Sequence, residues 1–319
     1  MNSRLKCVLP TAVVLAVLVP GTLLVFGMGA VAGKYRPNLV KPFSDWALAL
    51  ALPLRQAYCD VDDVTTCGVA SADREAVACT PFTAGNPRNA VLLTFGQSNS
   101  ANFGETRYTA TENVLNFNIH DGKCYRSADP LFGADGDGGS VWGRLGDQLV
   151  ETGAFDRVLI VPFGIGGTAL REWTVGGRLH PRVQFTAQQL QRAGIVPTHV
   201  LWHQGEHDAR DGTSTGDYIS MFAALVKSLH DYGIDAPVFA AVASLCDDLG
   251  SDAIRSAQRA LPTQIAGVYP GPDTDSLSDM HDRFDYCHFS ARGLHSHAAL
   301  WREMLVSFQR DHHAVTAGQ

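Results

Sequence analysis

The sequence predicts an α/β protein whose parallel sheet is covered by helices on both faces. Three observations lead there. Short apolar runs of strand length recur at residues 90–95, 158–163, 199–202, 238–243 and 265–269. These runs are continuous rather than alternating, the pattern of strands buried on both sides. Longer segments with helical periodicity separate them, which is the β-then-α rhythm of a parallel sheet. The expected helices span residues 141–151, 181–192, 217–231, 252–261 and 291–308. From Arg310 onward the chain reads as a frayed tail.

The 319 residues are 45% hydrophobic and 18% charged, an ordinary globular composition with ample length for one large domain. Net charge is −7. Residues 1–34 contain only the basic Arg4, Lys6 and Lys34, so the remainder carries −10. Such an acidic body is unsuited to nucleic acid or to anionic lipid.

Between Lys6 and Lys34 there is no charge. This apolar run exceeds the roughly 20 residues a membrane helix needs. Residues 1–34 are therefore expected to form a transmembrane anchor or a signal peptide. Arg4 and Lys6 would remain cytoplasmic, which puts the rest of the chain on the extracytoplasmic, periplasmic side. Ala30-Val31-Ala32 also fits a cleavage site, in which case the protein is secreted.

Of seven cysteines, six follow this segment, an even number that permits three disulfides in an exported protein. Cys246 with Cys287, near the expected site, and Cys59 with Cys67 are the pairings considered. Residues 35–87 resist regular assignment and read as a cysteine-containing stalk or lid before a domain at 88–308 and a tail at 309–319.

Four motifs carry chemistry. In Gly96-Gln97-Ser98-Asn99 an apolar run enters a tight turn ending on a hydroxyl, the arrangement of an exposed nucleophile; by itself it is also an ordinary helix cap. Gly166-Gly167-Thr168, with Trp173 downstream, offers bare backbone N–H groups to an oxyanion, or is a plain turn. Trp202-His203-Gln204-Gly205-Glu206-His207-Asp208 supplies the Gln204 amide as a further oxyanion donor. Glu206 and Asp208 there either buttress the loop or are solvated acids. His203-x-x-Glu206-His207 also spells a zinc pattern, which requires an uninterrupted helix, and Gly205 breaks it.

Asp285-Tyr286-Cys287-His288 puts a carboxylate three residues before an imidazole, ahead of the last helix, with Ser290 as that helix's expected cap. Serine, acid and histidine in this order are the parts of a nucleophilic hydrolase. Asp135-Gly136-Asp137-Gly138 reads as a flexible turn, since it lacks the glutamate of a calcium loop. His281, His295 and His297 read as surface residues.

Together the four blocks resemble the SGNH (GDSL-like) hydrolase superfamily, and within it the sialate O-acetylesterase-like carbohydrate esterases, over residues 88–308. The resemblance implies a flavodoxin-like three-layer α/β/α sandwich with a mostly five-stranded parallel sheet. It implies no cofactor and no metal, and the removal of O-acetyl groups from carbohydrates. Carried onto this chain, it makes Ser98 the nucleophile, His288 the base and Asp285 its orienting acid. The oxyanion hole is then the Ser98 N–H, an N–H of Gly166 or Gly167, and Gln204. Gln97, Asn99, Glu206 and Asp208 become supporting or substrate-lining residues, and Trp173 and Trp202 either line a sugar site or pack in the core. An acyltransferase with the same triad, a lipase or thioesterase, and a non-catalytic glycan-binding module are the alternatives.

Overall fold

The computed structural model describes residues 67–69, 74–83 and 85–317. The expected membrane segment at 1–34, residue Cys59 and most of the segment 35–87 lie outside them. Among the described residues no helix is long and apolar enough to cross a membrane.

The described residues form one eight-stranded sheet. Its strands are β1 (Ala76–Val77), β2 (Asn89–Gly96), β3 (Val114–Asn118), β4 (Lys123–Arg126), β5 (Arg157–Pro162), β6 (His199–His203), β7 (Val238–Val242) and β8 (Val268–Asp273). They lie in the order β1-β4-β3-β5-β2-β6-β7-β8. All pairings from β3 to β8 are parallel, while β4 joins β3, and β1 joins β4, antiparallel. The five strands expected from the sequence are present in the order β5-β2-β6-β7-β8, which is 2-1-3-4-5 in chain sequence and the flavodoxin-like order. The five-stranded expectation is corrected to eight.

Helices cover both faces. On one face α3 (His180–Ala193), α5 (Thr215–Asp231) and α6 (Asp252–Gln264) pack Val183, Phe222 and Ile254 against Val91, Leu93 and Phe95 of β2. On the other, α2 (Val141–Glu151) and α7 (Ala291–Ala317) pack Trp142, Leu145 and Trp301 against Ala90 and Leu92. Successive β2 residues thus enter opposite cores, which is why that strand is apolar throughout. Two further helices are short: α1 (Thr80–Thr83) precedes β2, and α4 (Glu206–Asp211) follows β6.

Serines start three of the long helices. Ser140, Ser214 and Ser251 accept from the N–H groups of Trp142, Asp217 and Ile254, satisfying donors that a helix start leaves unpaired. Ser290 likewise accepts from Gly293 N at the start of α7. That helix continues to Ala317, so the expected tail from Arg310 is corrected. No glycine or proline interrupts residues 309–317, and Phe308 anchors the preceding turn against Phe239 and Tyr269.

The described part of the stalk-or-lid segment adds to the sheet. Ala76 and Val77 extend the sheet, and Cys79 is disulfide-bonded to Cys124 of β4. The Cys246–Cys287 bridge forms as considered. Cys67 is disulfide-bonded too, while the pairing with Cys59 lies outside the described residues.

Candidate functional site

The sheet reverses its winding at β2, between β5 and β6, and the loops after these strands open at its carboxyl edge. β2 ends at Gly96, whose φ of +135° and lack of a side chain are both required: a Cβ would collide with the His203 carbonyl of the neighbouring strand. Gln97 donates its N–H to that carbonyl (3.1 Å), and Ser98–Ser100 then form a single 3₁₀ turn. The turn is locked from both sides. Ser100 Oγ donates to Gln97 O at 2.7 Å, and Trp142 Nε1 donates to Ser100 O at 2.7 Å. Neither the N–H nor the hydroxyl of Ser98 has a hydrogen-bond partner among the described residues. Both are free for a ligand.

The glycine block follows β5. Gly166 donates its N–H to Asp135 Oδ2 (3.1 Å), and a Cβ on it would meet the Phe103 ring at 2.7 Å. Gly167, exposed at φ +68°, has open space where a side chain would be, and its N–H has no acceptor among the described residues. Of the two, Gly167 is the one with a donor to offer. Asp135, read in sequence as part of a flexible turn, holds the glycine block and also accepts from Gly136 N.

Gln204 departs from expectation. It is fully buried, and its amide donates to Asp208 Oδ2 (2.5 Å) and Thr168 O (3.1 Å), with Gln97 Oε1 at 3.4 Å. An amide has two hydrogens, and both are committed here. Its Oε1 accepts from Tyr218 (3.2 Å). Gln204 therefore ties β6 to the glycine loop, and the expected free oxyanion donor is corrected to an internal cross-link. Asp208, also fully buried, completes it by accepting from Leu170 N (2.7 Å) and Thr213 Oγ1 (2.8 Å).

The acid–histidine pair forms as a compact turn. Asp285 Oδ2 meets His288 Nδ1 at 2.7 Å, while Oδ1 accepts the N–H groups of His288 (2.6 Å) and Cys287 (3.1 Å). Tyr286 between them adopts φ +67° to allow this. Partial burial works to raise the Asp285 carboxyl, but the bond from His288, its charge and the two backbone donors outweigh it and hold the carboxyl below its ordinary value. The contact to Nδ1 leaves Nε2 of His288 to face the site, with no hydrogen-bond partner among the described residues. Ser98 Oγ and Nε2 do not hydrogen-bond to each other. Such contacts tighten when substrate binds.

Asn99 brings the serine turn to this loop. Its Nδ2 donates to Glu206 Oε1 (2.8 Å) and to Cys287 O (3.3 Å), so the neighbour of Ser98 touches the neighbour of His288. Phe103, downstream of the turn, stacks on the His288 ring with centroids 5.5 Å apart. Arg283 fixes the histidine loop from below: it is 3% exposed, lies over Phe289, and donates to the carbonyls of Leu245, Thr274, Leu277 and Cys287. The Cys246–Cys287 bridge staples the same loop to the end of β7.

Beneath Asn99 lies a buried polar cluster. Among the described residues Glu206 Oε2, His203 Nδ1 and His297 Nδ1 have no hydrogen-bond partner; His203 Nδ1 lies 3.9 Å from Glu206 Oε1, and the two imidazoles lie 4.9 Å apart. Burial holds both histidines below their ordinary value. His297 is thus a core residue, not a surface one, accepting from Trp301 Nε1 at 3.0 Å. The zinc spelling is divided by structure: His203 ends a strand and contacts Thr274, whereas His207 lies on α4 beside Asp211. Among the described residues no group of three or more potential ligands is arranged for a metal ion.

Ser98, Gly167, Asp285 and His288 therefore gather at one edge, braced by Gln97, Asn99, Gln204, Glu206 and Asp208. Trp173 and Trp202 do not line it. Both are fully buried, edge-on to Phe95 and to each other, so lining by Trp173 is corrected to core packing. Sequence reasoning missed Phe103, Asp135 and Arg283. Only Arg283 had a signal, its place two residues before Asp285.

A family model for carbohydrate esterases, the sialic acid-specific acetylesterases, matches residues 88–300. A probable carbohydrate esterase of Arabidopsis thaliana is 32% identical over 103 residues, a stretch that is 32% of this chain and 40% of the length of that protein. A crystal structure of an Arabidopsis thaliana protein aligns with a TM-score of 0.57 at 19% identity, over 71% of this chain and 99% of the other. A carbohydrate acetylesterase of Xanthomonas citri aligns with a TM-score of 0.47 at 15% identity, over 67% of this chain and 55% of that one.

Proposed function

Because the chain belongs to the sialic acid-specific acetylesterase family of carbohydrate esterases, we propose that it hydrolyses O-acetyl esters of sugars through an acyl-enzyme on Ser98. The observation that carries this reading is the Asn99 bridge. It draws the turn of an unpartnered serine hydroxyl against the loop of a histidine whose far nitrogen is already held by a carboxylate.

In the proposed reaction Ser98 Oγ bonds to the acetyl carbon while its proton passes to His288 Nε2. Asp285 keeps the proton of the neutral ring on Nδ1 and stabilises the imidazolium. The N–H groups of Ser98 and Gly167 receive the oxyanion, and each such donor contributes about 3–4 kcal/mol in a water-poor site. The carbon–oxygen bond to the sugar then breaks, and the sugar leaves with the proton from Nε2. Water, deprotonated by His288, attacks the acetyl carbon; the bond to Ser98 Oγ breaks, His288 returns the proton to Oγ, and acetate departs. Gln204 acts by holding the glycine loop in place.

We also propose an extracytoplasmic location, since the bridges Cys79–Cys124 and Cys246–Cys287 suit an oxidising compartment. The functional test is acetate release from a panel of O-acetylated sugars. Wild type should release acetate and Ser98→Ala should not. Activity that survives Ser98→Ala ends the mechanism, and acetate that appears only when no glycan acceptor is present makes the protein a transferase.

A further inference from the structure

Large apolar side chains are exposed at five described positions, and four of them lie at the site end of the sheet. Val175 follows β5, Leu249 follows β7, and Met280 and Phe284 follow β8; Val196 alone precedes its strand. Of these, the one in ring contact with a candidate catalytic residue is Phe284. Phe284 is the aromatic member, 46% exposed, with its ring centroid 6.3 Å from that of His288 and its plane tilted by 32°.

From this placement we infer that Phe284 is the platform on which the sugar ring of the substrate stacks, an inference that rests on the esterase reading above. The leaving sugar oxygen takes its proton from His288 Nε2, so the sugar must come within roughly 3 Å of that nitrogen. The Nδ1 edge of the imidazole belongs to Asp285. One flank is occupied by Phe103, which is half-buried and lies close to Gly166. Phe103 is half-buried beside the imidazole, whereas Phe284 is 46% exposed, so the Phe284 ring is the one open to a sugar.

A pyranose ring presents one face of C–H bonds, and the negative face of a phenyl ring attracts that polarised apolar surface. The backbone that carries the platform is also held in place beforehand. Phe284 N donates to His288 O (3.0 Å), and its neighbour Arg283 is anchored by four carbonyls. The loop therefore needs no ordering on binding. The aromatic faces that the sequence offered to a sugar, Trp173 and Trp202, are in the core. Phe284 takes that part.

The test compares two acetate esters: an O-acetylated methyl hexopyranoside and 2-methoxyethyl acetate, which has no ring to stack. In Phe284→Ala the ratio of kcat/KM for the pyranoside to that for the ringless ester should fall about ten-fold, mainly through KM. Phe284→Tyr should restore it. In Ser98→Ala protein, saturation-transfer NMR should detect the methyl hexopyranoside, and adding Phe284→Ala should weaken that signal. An unchanged ratio, or one that Phe284→Tyr fails to restore, overturns the platform while leaving the esterase reading intact. A larger loss on long-chain acyl esters than on the pyranoside assigns the rim to the acyl chain and also overturns it. Ester cleavage that persists in Ser98→Ala removes the esterase reading itself.

Discussion

Replacing Asp208 with alanine should destabilise the protein by about 4 kcal/mol. This carboxylate is fully buried and accepts three hydrogen bonds, from Gln204 Nε2, Leu170 N and Thr213 Oγ1. A hydrogen bond to a charged acceptor contributes about 1.5–3 kcal/mol, and a buried donor left unpaired costs a similar amount. Three such losses would sum to more than 4, but neighbouring sites do not add, and a water can occupy the space vacated. The remaining cost is still a large fraction of the 5–15 kcal/mol typical of a folded domain.

Asparagine makes the discriminating comparison. Its carbonyl can accept from Gln204 and Leu170, while its NH₂ meets the Thr213 hydroxyl, which can reverse its role and accept. Asp208→Asn should therefore recover most of the loss. The assay is equilibrium urea denaturation followed by tryptophan fluorescence, without reductant. The exposed Asp156, paired with Arg88, serves as a surface reference whose alanine variant leaves the midpoint unchanged. An Asp208→Ala midpoint equal to that of wild type, or no better recovery with asparagine, refutes this reasoning.

Two further outcomes follow from the same geometry. Asp285→Asn should lower kcat by roughly 10³-fold or more by disturbing the tautomer of His288; and because the native carboxyl lies below its ordinary 3.8, its share of stability is full above that value and fades as pH falls below it, so the variant should flatten the wild-type loss of stability there. His199, packed among Phe155, Phe239 and Phe308, has its pKa pushed down to about 4 by burial. Unfolded chain binds that proton near 6.5, so stability should fall between pH 6.5 and 4 by roughly 3 kcal/mol, and His199→Phe should remove about one proton from that slope; an unchanged slope contradicts it.

Much of the molecule could be read from local pattern. β2, β5, β6 and β7 are continuous apolar runs because each is buried on both faces, and α2 occupies the span its periodicity predicts; β8, at the sheet edge, is only partly buried and runs Val268–Asp273, a few residues past the expected 265–269. β3 was hidden because two of its five residues are asparagines. Asn116 pays for its burial by exchanging hydrogen bonds with the backbone of Phe132, a long-range partner that no local window contains. β1 and β4 are too short to carry a period, and a disulfide helps to fix them.

The site divides in the same way. The Asp285–His288 pair was legible because a three-residue spacing is a local pattern, and Ser98 was singled out by its place just after β2. The commitments of Gln204, Trp173 and His297 were not, because each depends on what tertiary packing sets beside it. Gln204 meets Asp208 and Thr168, Trp173 meets Phe95, and His297 meets Trp301.

The central claim is that Ser98 is the nucleophile activated by His288. Treating the protein with a fluorophosphonate and mapping the modified peptide by mass spectrometry tests it directly. A single adduct on Ser98, absent from Ser98→Ala and formed far more slowly in His288→Ala, is the expected result. An adduct elsewhere with Ser98 unmodified, or labelling of Ser98 at an undiminished rate without the imidazole, would contradict it.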